Sequence, residues 1–245
     1  MSIVVEDYHK TYGDTAAVVG LSFRAEAGDI LGLVGPNGAG KTTTLRALSG
    51  ILTPTRGRLL LAGHDIVLDP VQAKSILAYI PDEPKLFDQL TVWEHLRFSA
   101  EVYRLTDWQP RAEELLRRFE LTEKRNALAA ERSRGMRQKA AICCGYLHQP
   151  RVLLFDEPLT GLDPYGIRAI CDSIKEQAVA GATILVSSHL LSLVEDLCTS
   201  VLIMNHGRMI LHERLADLRR QLTDTGRHES LEDMFFRLTQ RTPLQ

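Results

Sequence analysis

Apolar runs punctuate this chain: Ile30-Leu31-Gly32-Leu33-Val34, Leu77-Ala78-Tyr79-Ile80, Val152-Leu153-Leu154-Phe155 and, between two small hydroxyl residues, Ile184-Leu185-Val186 of the strand Thr183-Ile184-Leu185-Val186-Ser187. A strand that is apolar throughout is buried on both faces, the condition of a parallel sheet covered by helices. Weaker strand signals stand at Ile3–Val5 and Leu21–Ala25, parted by the turn Tyr12-Gly13-Asp14, and at Arg58–Gly63 after a break marked by Gly50 and Pro54. Ser200–Asn205 and Met209–Leu211 predict a hairpin about His206-Gly207, then a charged helix from Glu213 and a helical tail near Leu231–Leu238. Strands interleaved with helices make the chain α/β.

From Thr91 to Gln149 the period becomes helical. Ala112, Leu115, Leu116 and Phe119 fall at i, i+3, i+4 and i+7, and Glu113/Arg117 and Glu114/Arg118 stand as i,i+4 pairs on the outer face. The stretch begins after the irregular loop Pro81-Asp82-Glu83-Pro84 and stops at Pro150, so it reads as a helical lobe inserted into the sheet. Ten Lys/Arg oppose six Asp/Glu between Arg104 and Lys139, which suits a solvated helical face, the commoner case, or a patch for phosphate or a partner. Leu86, Phe87, Leu90 and Trp93 crowd the loop leading into this lobe, either to bind a partner or to seal the joint between lobes.

With 245 residues, 44% of them hydrophobic, the chain can bury a substantial core as one large domain or as a domain with an inserted lobe. Its 29 basic and 31 acidic side chains leave a net charge of −2, which gives no reason to expect nucleic acid as the partner. Cys143, Cys144, Cys171 and Cys198 show neither Cys-x-x-Cys spacing nor a nearby His at zinc spacing, and predict buried thiols in a reducing compartment. Met1–Asp7 lacks the basic start and long apolar region of a signal peptide, and no apolar run approaches the ~18 residues of a membrane span. The expectation is a cytoplasmic chain unless a partner holds it at a membrane.

The candidate chemistry sits at the ends of the apolar runs. Ile30–Val34 leads into Gly35-Pro36-Asn37-Gly38-Ala39-Gly40-Lys41-Thr42-Thr43, a strand, phosphate loop and helix. Gly35, Gly38 and Gly40 let the backbone curl so that several N–H groups aim at one anion. Lys41 offers a mobile charge for β- and γ-phosphates, Thr42 a hydroxyl for Mg²⁺, and the helix its positive dipole end. Asp156, at the end of Val152–Phe155, is a natural Mg²⁺ partner for Thr42, and Glu157 is positioned to orient or deprotonate a water attacking the γ-phosphate. His189, just past the Thr183–Ser187 strand, is a third polar group for the γ-phosphate. Tyr12 either stacks on a purine or covers the edge of the first sheet.

With these pieces in order, the sequence resembles the nucleotide-binding subunits of ATP-binding cassette (ABC) transporters, from Ile3 to about Leu222. Tyr12 matches the adenine-stacking aromatic, Gly35–Thr43 the Walker A loop, Val152–Asp156 the Walker B strand, Glu157 the catalytic carboxylate, Asp163 the D-loop acid and His189 the switch histidine. Ser133-Arg134-Gly135-Met136-Arg137-Gln138 matches the signature, at the start of a helix before the Walker B strand. The resemblance implies a P-loop NTPase core with a mixed, mainly parallel sheet, an N-terminal antiparallel β portion and an inserted α-helical lobe. It implies one ABC ATPase domain over residues 1–222, its core lobe 1–88 and 150–222 and its helical lobe about 89–149, with a short helical tail at 223–245.

Two departures stand out. The signature commonly reads Leu-Ser-Gly-Gly-Gln, whereas Arg132-Ser133-Arg134-Gly135-Met136 keeps only the Ser and the second Gly, a variant similar to that of single-cassette (ABC-2 type) exporter subunits. Where a Gln usually touches Mg²⁺ and the membrane subunit, Asp82 stands, able to meet a cation but not to donate an amide hydrogen bond. The family mechanism implied is hydrolysis of ATP with Mg²⁺ at composite sites. One subunit offers Lys41, Thr42, Asp156, Glu157 and His189, and a second nucleotide-binding subunit, identical or paralogous, closes the site with Ser133 and Gly135. The dimer would power a separate membrane-spanning permease, holding this chain on the inner face of the membrane; an exporter is expected, an importer being the alternative direction. A soluble cassette ATPase acting on ribosomes or DNA usually carries two cassettes or long insertions, which this length does not accommodate. A regulatory cassette without turnover is opposed by Glu157 and His189.

Overall fold

A computed structural model describes residues 2–128, 133–224 and 232–235 of the chain. The first half contains β1 (Ile3–Tyr12), β2 (Thr15–Ala25), β3 (Ile30–Val34), α1 (Lys41–Leu48), β4 (Arg56–Leu61), β5 (His64–Asp65), α2 (Pro70–Ser75) and β6 (Leu77–Ile80). Three helices follow: α3 (Val92–Val102), α4 (Gln109–Arg118) and α5 (Arg134–Leu147). The chain then returns to strand and helix with β7 (Val152–Asp156), α6 (Pro164–Val179), β8 (Thr183–Ser188), α7 (Leu191–Leu197), β9 (Ser200–Asn205), β10 (Arg208–Arg214) and α8 (Leu215–Asp224).

β3, β7, β8 and β9 are buried at every position and form the centre of a six-stranded sheet ordered β10-β9-β3-β8-β7-β6. All its neighbours pair in parallel except β10, which folds back antiparallel on β9. A second, antiparallel sheet ordered β2-β1-β4-β5 packs beside it. Its N-terminal hairpin runs much further than Ile3–Val5 and Leu21–Ala25. Register shifts after Val5, Tyr8 and Lys10, with Asp7 at φ 45°, break the in-out alternation that would have revealed the strand.

The inserted helices dock on one face of the large sheet. Leu96, Ala112, Leu116, Phe119 and Tyr146 join Phe155 and Ile184 in one continuous apolar cluster. The approach is close where α5 crosses β6: a Cβ on Gly145 would lie 3.2 Å from that of Ala78. α3 starts on a reciprocal cap, in which Thr91 Oγ1 accepts from the Glu94 N–H while Glu94 accepts from the Thr91 N–H, a stabilisation of about 1 kcal/mol. The opposite face of the sheet packs Leu31, Leu33, Leu154 and Leu185 against α1 and the antiparallel sheet, including Tyr8, Leu21 and Leu59.

Several local expectations change. Glu113 pairs with Arg125 at 3.7 Å and Glu114 with Arg111 at 3.4 Å, while Arg118 reaches Glu176 on α6 at 2.5 Å, because the end of α4 abuts α6. β10 continues to Arg214, so the charged helix starts at Leu215, two residues later than Glu213 suggests. The cysteines are free thiols, but only Cys143 is fully buried. Residues 232–235 of the tail form a helical turn with Met234 buried near Leu218; the rest of the Leu231–Leu238 expectation, and Arg132 of the signature, lie outside the described residues. No described helix is long and apolar enough to cross a membrane.

Candidate functional site

The carboxyl ends of β3, β7 and β8 lie side by side, with Val34 opposite Ser188 and Asp156 opposite Ser187. Strand order thus converges three chain-distant segments on one cleft of about 370 Å³, lined by Asn37–Thr43 together with Ala17, Asp82, Asp156 and Glu157. The loop from Gly35 to Gly40 needs its glycines. Gly40 has φ 102°, and a Cβ on Gly35 would come within 2.4 Å of the Met204 carbonyl oxygen. α1 begins at Lys41, so Thr42 and Thr43 stand in its first turn and its unpaired N–H groups open into the cleft.

Lys41 is buried, and its ammonium donates to the carbonyl oxygens of Gly35 at 2.6 Å and Pro36 at 3.3 Å. Burial pushes its pKa below the ordinary lysine value, and the nearby Glu157 and Asp156 carboxylates pull it back up. The charge is thus held by neighbours and ready for an anion.

Asp156 is the hub. Its Oδ1 accepts from Thr42 Oγ1 at 3.1 Å and from Ser187 Oγ at 2.7 Å, and its Oδ2 from the Tyr79 hydroxyl at 3.4 Å. Burial, reinforced by Asp156, lifts the Tyr79 phenol to about 12, so it remains a donor. The Thr42 hydroxyl and the Asp156 carboxylate are adjacent hard oxygen donors, a set that suits Mg²⁺ completed by phosphate oxygens and water.

Glu157, one residue on, has left-handed backbone geometry with φ 48°, which swings its side chain off the strand line. Its N–H donates to Ser187 Oγ at 3.0 Å and to the Ser187 carbonyl at 3.2 Å. Its Oε2 lies 2.8 Å from His189 Nδ1, so the carboxylate and the imidazole orient each other. Ser187 and Tyr79 were not singled out in the sequence. Their signal is the cross-strand register and a shared partner, both of which require the fold.

The remaining candidates are distributed around this cleft. Ser133 caps α5, accepting from the Met136 N–H at 3.3 Å, and Gly135 packs on the loop between Glu157 and α6, where its Cβ would stand 3.0 Å from Leu162 Cδ2. Asp163 is the N-cap of α6, accepting from the Gly166 N–H at 2.6 Å. Its carboxylate shapes the turn after Glu157. Asp82, expected among the metal ligands, lines the cleft together with Thr42 and Asp156, and its carboxylate pairs with the Arg134 guanidinium. Tyr12 is exposed at the end of β1, with Lys10 Nζ 5.2 Å from its ring centre, and is not in the lining of the cleft.

A second groove, of about 820 Å³, opens between the loop Pro81–Leu86 and α3 and α5, with Arg46, Ser99, Tyr103 and His148 on its walls. Thr42, Tyr79 and Asp156 line it too, so groove and cleft share a wall. Phe87 at its rim is 55% exposed and stacks with His95 and edgewise on Phe98, whereas Leu86 and Trp93 pack onto the helical core. The apolar loop is thus part seal and part open surface.

Comparison with known proteins agrees with this geometry. Residues 18–160 match the family model described as ABC transporter. The chain is 35% identical over 237 residues to the ABC-type transporter ATP-binding protein EcsA of Bacillus subtilis, covering 96% of this chain and 95% of that protein. It is 35% identical over 208 residues to the Nod factor export ATP-binding protein I of Cupriavidus metallidurans, covering 84% of this chain and 69% of the relative. A solved structure of an ATP-binding subunit of an ABC transporter superposes with a TM-score of 0.91 at 35% identity, covering 97% of this chain and 99% of the other.

Proposed function

The chain belongs to the ABC transporter family as an ATP-binding subunit with ATPase activity, and on that premise we propose that it forms half of a composite, Mg²⁺-dependent site that drives a separate membrane-spanning permease. The observation that carries this reading is the Asp156 hub, in which Thr42, Ser187 and Tyr79 converge on one carboxylate beside Glu157 and His189. Lys41 and the N–H groups of the 35–43 loop hold the β- and γ-phosphates. Thr42 and Asp156 would hold Mg²⁺, which would supply charge neutralisation for the phosphates. Glu157 orients and deprotonates the attacking water, and His189 steadies Glu157 while facing the γ-phosphate. Ser133 and Gly135, at the N-terminus of α5, close the cleft of a second subunit, and exposed Tyr12 is available to stack on the adenine.

The shared wall between groove and cleft supports docking of the permease in the groove beside Pro81–Phe87 and α3, which holds this chain at the inner face of the cell membrane. Export is the favoured direction, supported by the Nod factor export relative. The division into a core lobe (1–88 and 150–222), a helical lobe (about 89–149) and a tail (223–245) is supported by α3–α5 standing in sequence between β6 and β7. No nucleic acid enters this scheme.

Two variants test it. Lys41→Ala removes the cation of the loop and weakens binding of a fluorescent ATP analogue; Glu157→Gln keeps binding, loses most turnover and traps an ATP-bound dimer. Parent-rate hydrolysis by Glu157→Gln moves water activation elsewhere, with His189 the first candidate, and unchanged affinity in Lys41→Ala removes the loop as the nucleotide site.

A further inference from the structure

Asp82 stands where an amide is usual and Arg134 where a glycine is usual, and the fold makes these two departures each other's partner. The Arg134 guanidinium donates to the Asp82 carboxylate and lies 3.4 Å from the Asp82 carbonyl oxygen. The residues are 52 positions apart and sit on different parts of the molecule. Asp82 belongs to the loop after β6 and lines the phosphate cleft; Arg134 is the first residue of α5, next to the cap Ser133. On its way the arginine stem lies over Gly161, in the turn beyond Glu157: Cδ is 3.1 Å from where a Cβ on Gly161 would stand. One side chain therefore touches the loop that leads into the helical lobe, the start of α5 and the segment following Glu157.

Charge gives the pairing its sense. A carboxylate in a cleft built for a polyphosphate repels its ligand unless a cation compensates it. The planar guanidinium fork supplies that cation with a fixed geometry, which a flexible ammonium does not. We infer that Asp82 and Arg134 are a matched positioning pair: the ion pair neutralises Asp82 beside the phosphates and fixes Ser133 and Gly135 relative to Glu157 of the same chain. Arg134 acts through the start of α5 and touches no reacting atom, and Asp82 is not a metal ligand. The inference rests on the composite-site reading above, because fixing Ser133 and Gly135 matters to turnover only if they close a second subunit's cleft.

The test is a double-mutant cycle in the full chain with D82Q, R134G, D82Q/R134G and the charge-conserving R134K. ATPase kcat, KM for ATP, Mg²⁺ half-saturation and melting temperature are measured for each. Each single variant lowers kcat about 10-fold with KM for ATP little changed, the scale expected when a catalytic group is slightly misplaced. Melting temperatures stay within about 2 °C, since partly exposed ion pairs add little stability. The double variant, with the family's usual Gln and Gly, regains most of kcat, and R134K falls between parent and R134G. Parent-like kcat in either single variant, or losses that simply multiply in the double, overturns the pairing. So does a loss of Mg²⁺ affinity in D82Q that R134G does not share, which would make Asp82 a metal ligand. Should R134G fail to fold, the swap D82R/R134D set against D82R alone supplies the same comparison. ATP-dependent dimerisation of E157Q is followed in parallel by light scattering. No dimer sinks the composite-site reading whatever the cycle shows; a dimer with uncoupled positions sinks this inference alone.

Discussion

Replacing Ser187 by alanine removes one hydroxyl from the site and leaves everything else in place. That hydroxyl is fully buried, donates to Asp156 Oδ1 at 2.7 Å and accepts from the Glu157 N–H at 3.0 Å. The Glu157 N–H keeps a second acceptor, the Ser187 carbonyl at 3.2 Å, so no donor is orphaned. The loss is the charge-assisted bond to Asp156, and hydrogen bonds to charged groups contribute about 1.5–3 kcal/mol. We expect Ser187→Ala to lose about 2 kcal/mol, which for a chain of this size lowers the melting temperature by about 4–8 °C. Asp156 then keeps Thr42 at 3.1 Å and Tyr79 at 3.4 Å, the longer of its contacts, and its carboxylate is free to turn. Partners that orient a metal-binding carboxylate typically affect metal affinity about 10–100-fold. The Mg²⁺ concentration for half-maximal ATPase should rise on that scale, and saturating Mg²⁺ should restore much of the turnover. Thermal melts and an ATPase titration with Mg²⁺ read both effects. An unchanged melting temperature together with an unchanged Mg²⁺ requirement would refute the assignment of Ser187 as the residue that holds Asp156 in position.

Phe87→Asp should abolish stimulation of the ATPase by the permease and leave basal turnover and melting temperature nearly unchanged, because the ring is more than half exposed; unfolding of the isolated variant would make Phe87 core. His148 stacks on Tyr103 with ring centres 3.7 Å apart, and burial, opposed by its hydrogen bond to the Leu77 carbonyl, pushes its pKa down to about 4. The fold thus favours the neutral ring while the unfolded chain takes up a proton near pH 6.5, so this contribution is complete above that pH and is lost as pH falls towards 4. After allowance for solvent screening it is about 1–2 kcal/mol, and urea midpoints at pH 7 and pH 5 should differ less in His148→Asn than in the parent, equal differences counting against it.

What could be read in the sequence follows from what burial does to a pattern. β3, β7 and β8 are buried on both faces, so their apolar runs and the polar groups that end them were plain. The bulged hairpin β1–β2 showed only its ends, since each register shift resets the alternation. α2 and α7 passed unseen because helices of six and seven residues are too short to display an apolar stripe. Gly35, Lys41 and Thr42 announce themselves by local spacing, as do Asp156 and Glu157 by position at a strand end. Ser187 looks like any strand serine until register sets it opposite Asp156. The pairing of Asp82 with Arg134, 52 positions apart in the chain, is one that only the folded chain reveals.

Glu157 carries one more lesson, for anyone who would engineer this protein. Its left-handed backbone, φ 48°, is a conformation that costs an L-residue about 1–2 kcal/mol and glycine almost nothing. Even after glycine's greater freedom in the unfolded chain is counted, Glu157→Gly gains from the relief of that strain. Glutamate is thus a poor choice for the backbone and, on the water-activating role proposed for it, the needed choice for hydrolysis. A library selected for heat resistance alone would drift towards glycine at this position and deliver sturdy, inactive protein, so any such selection must keep ATP turnover in the screen.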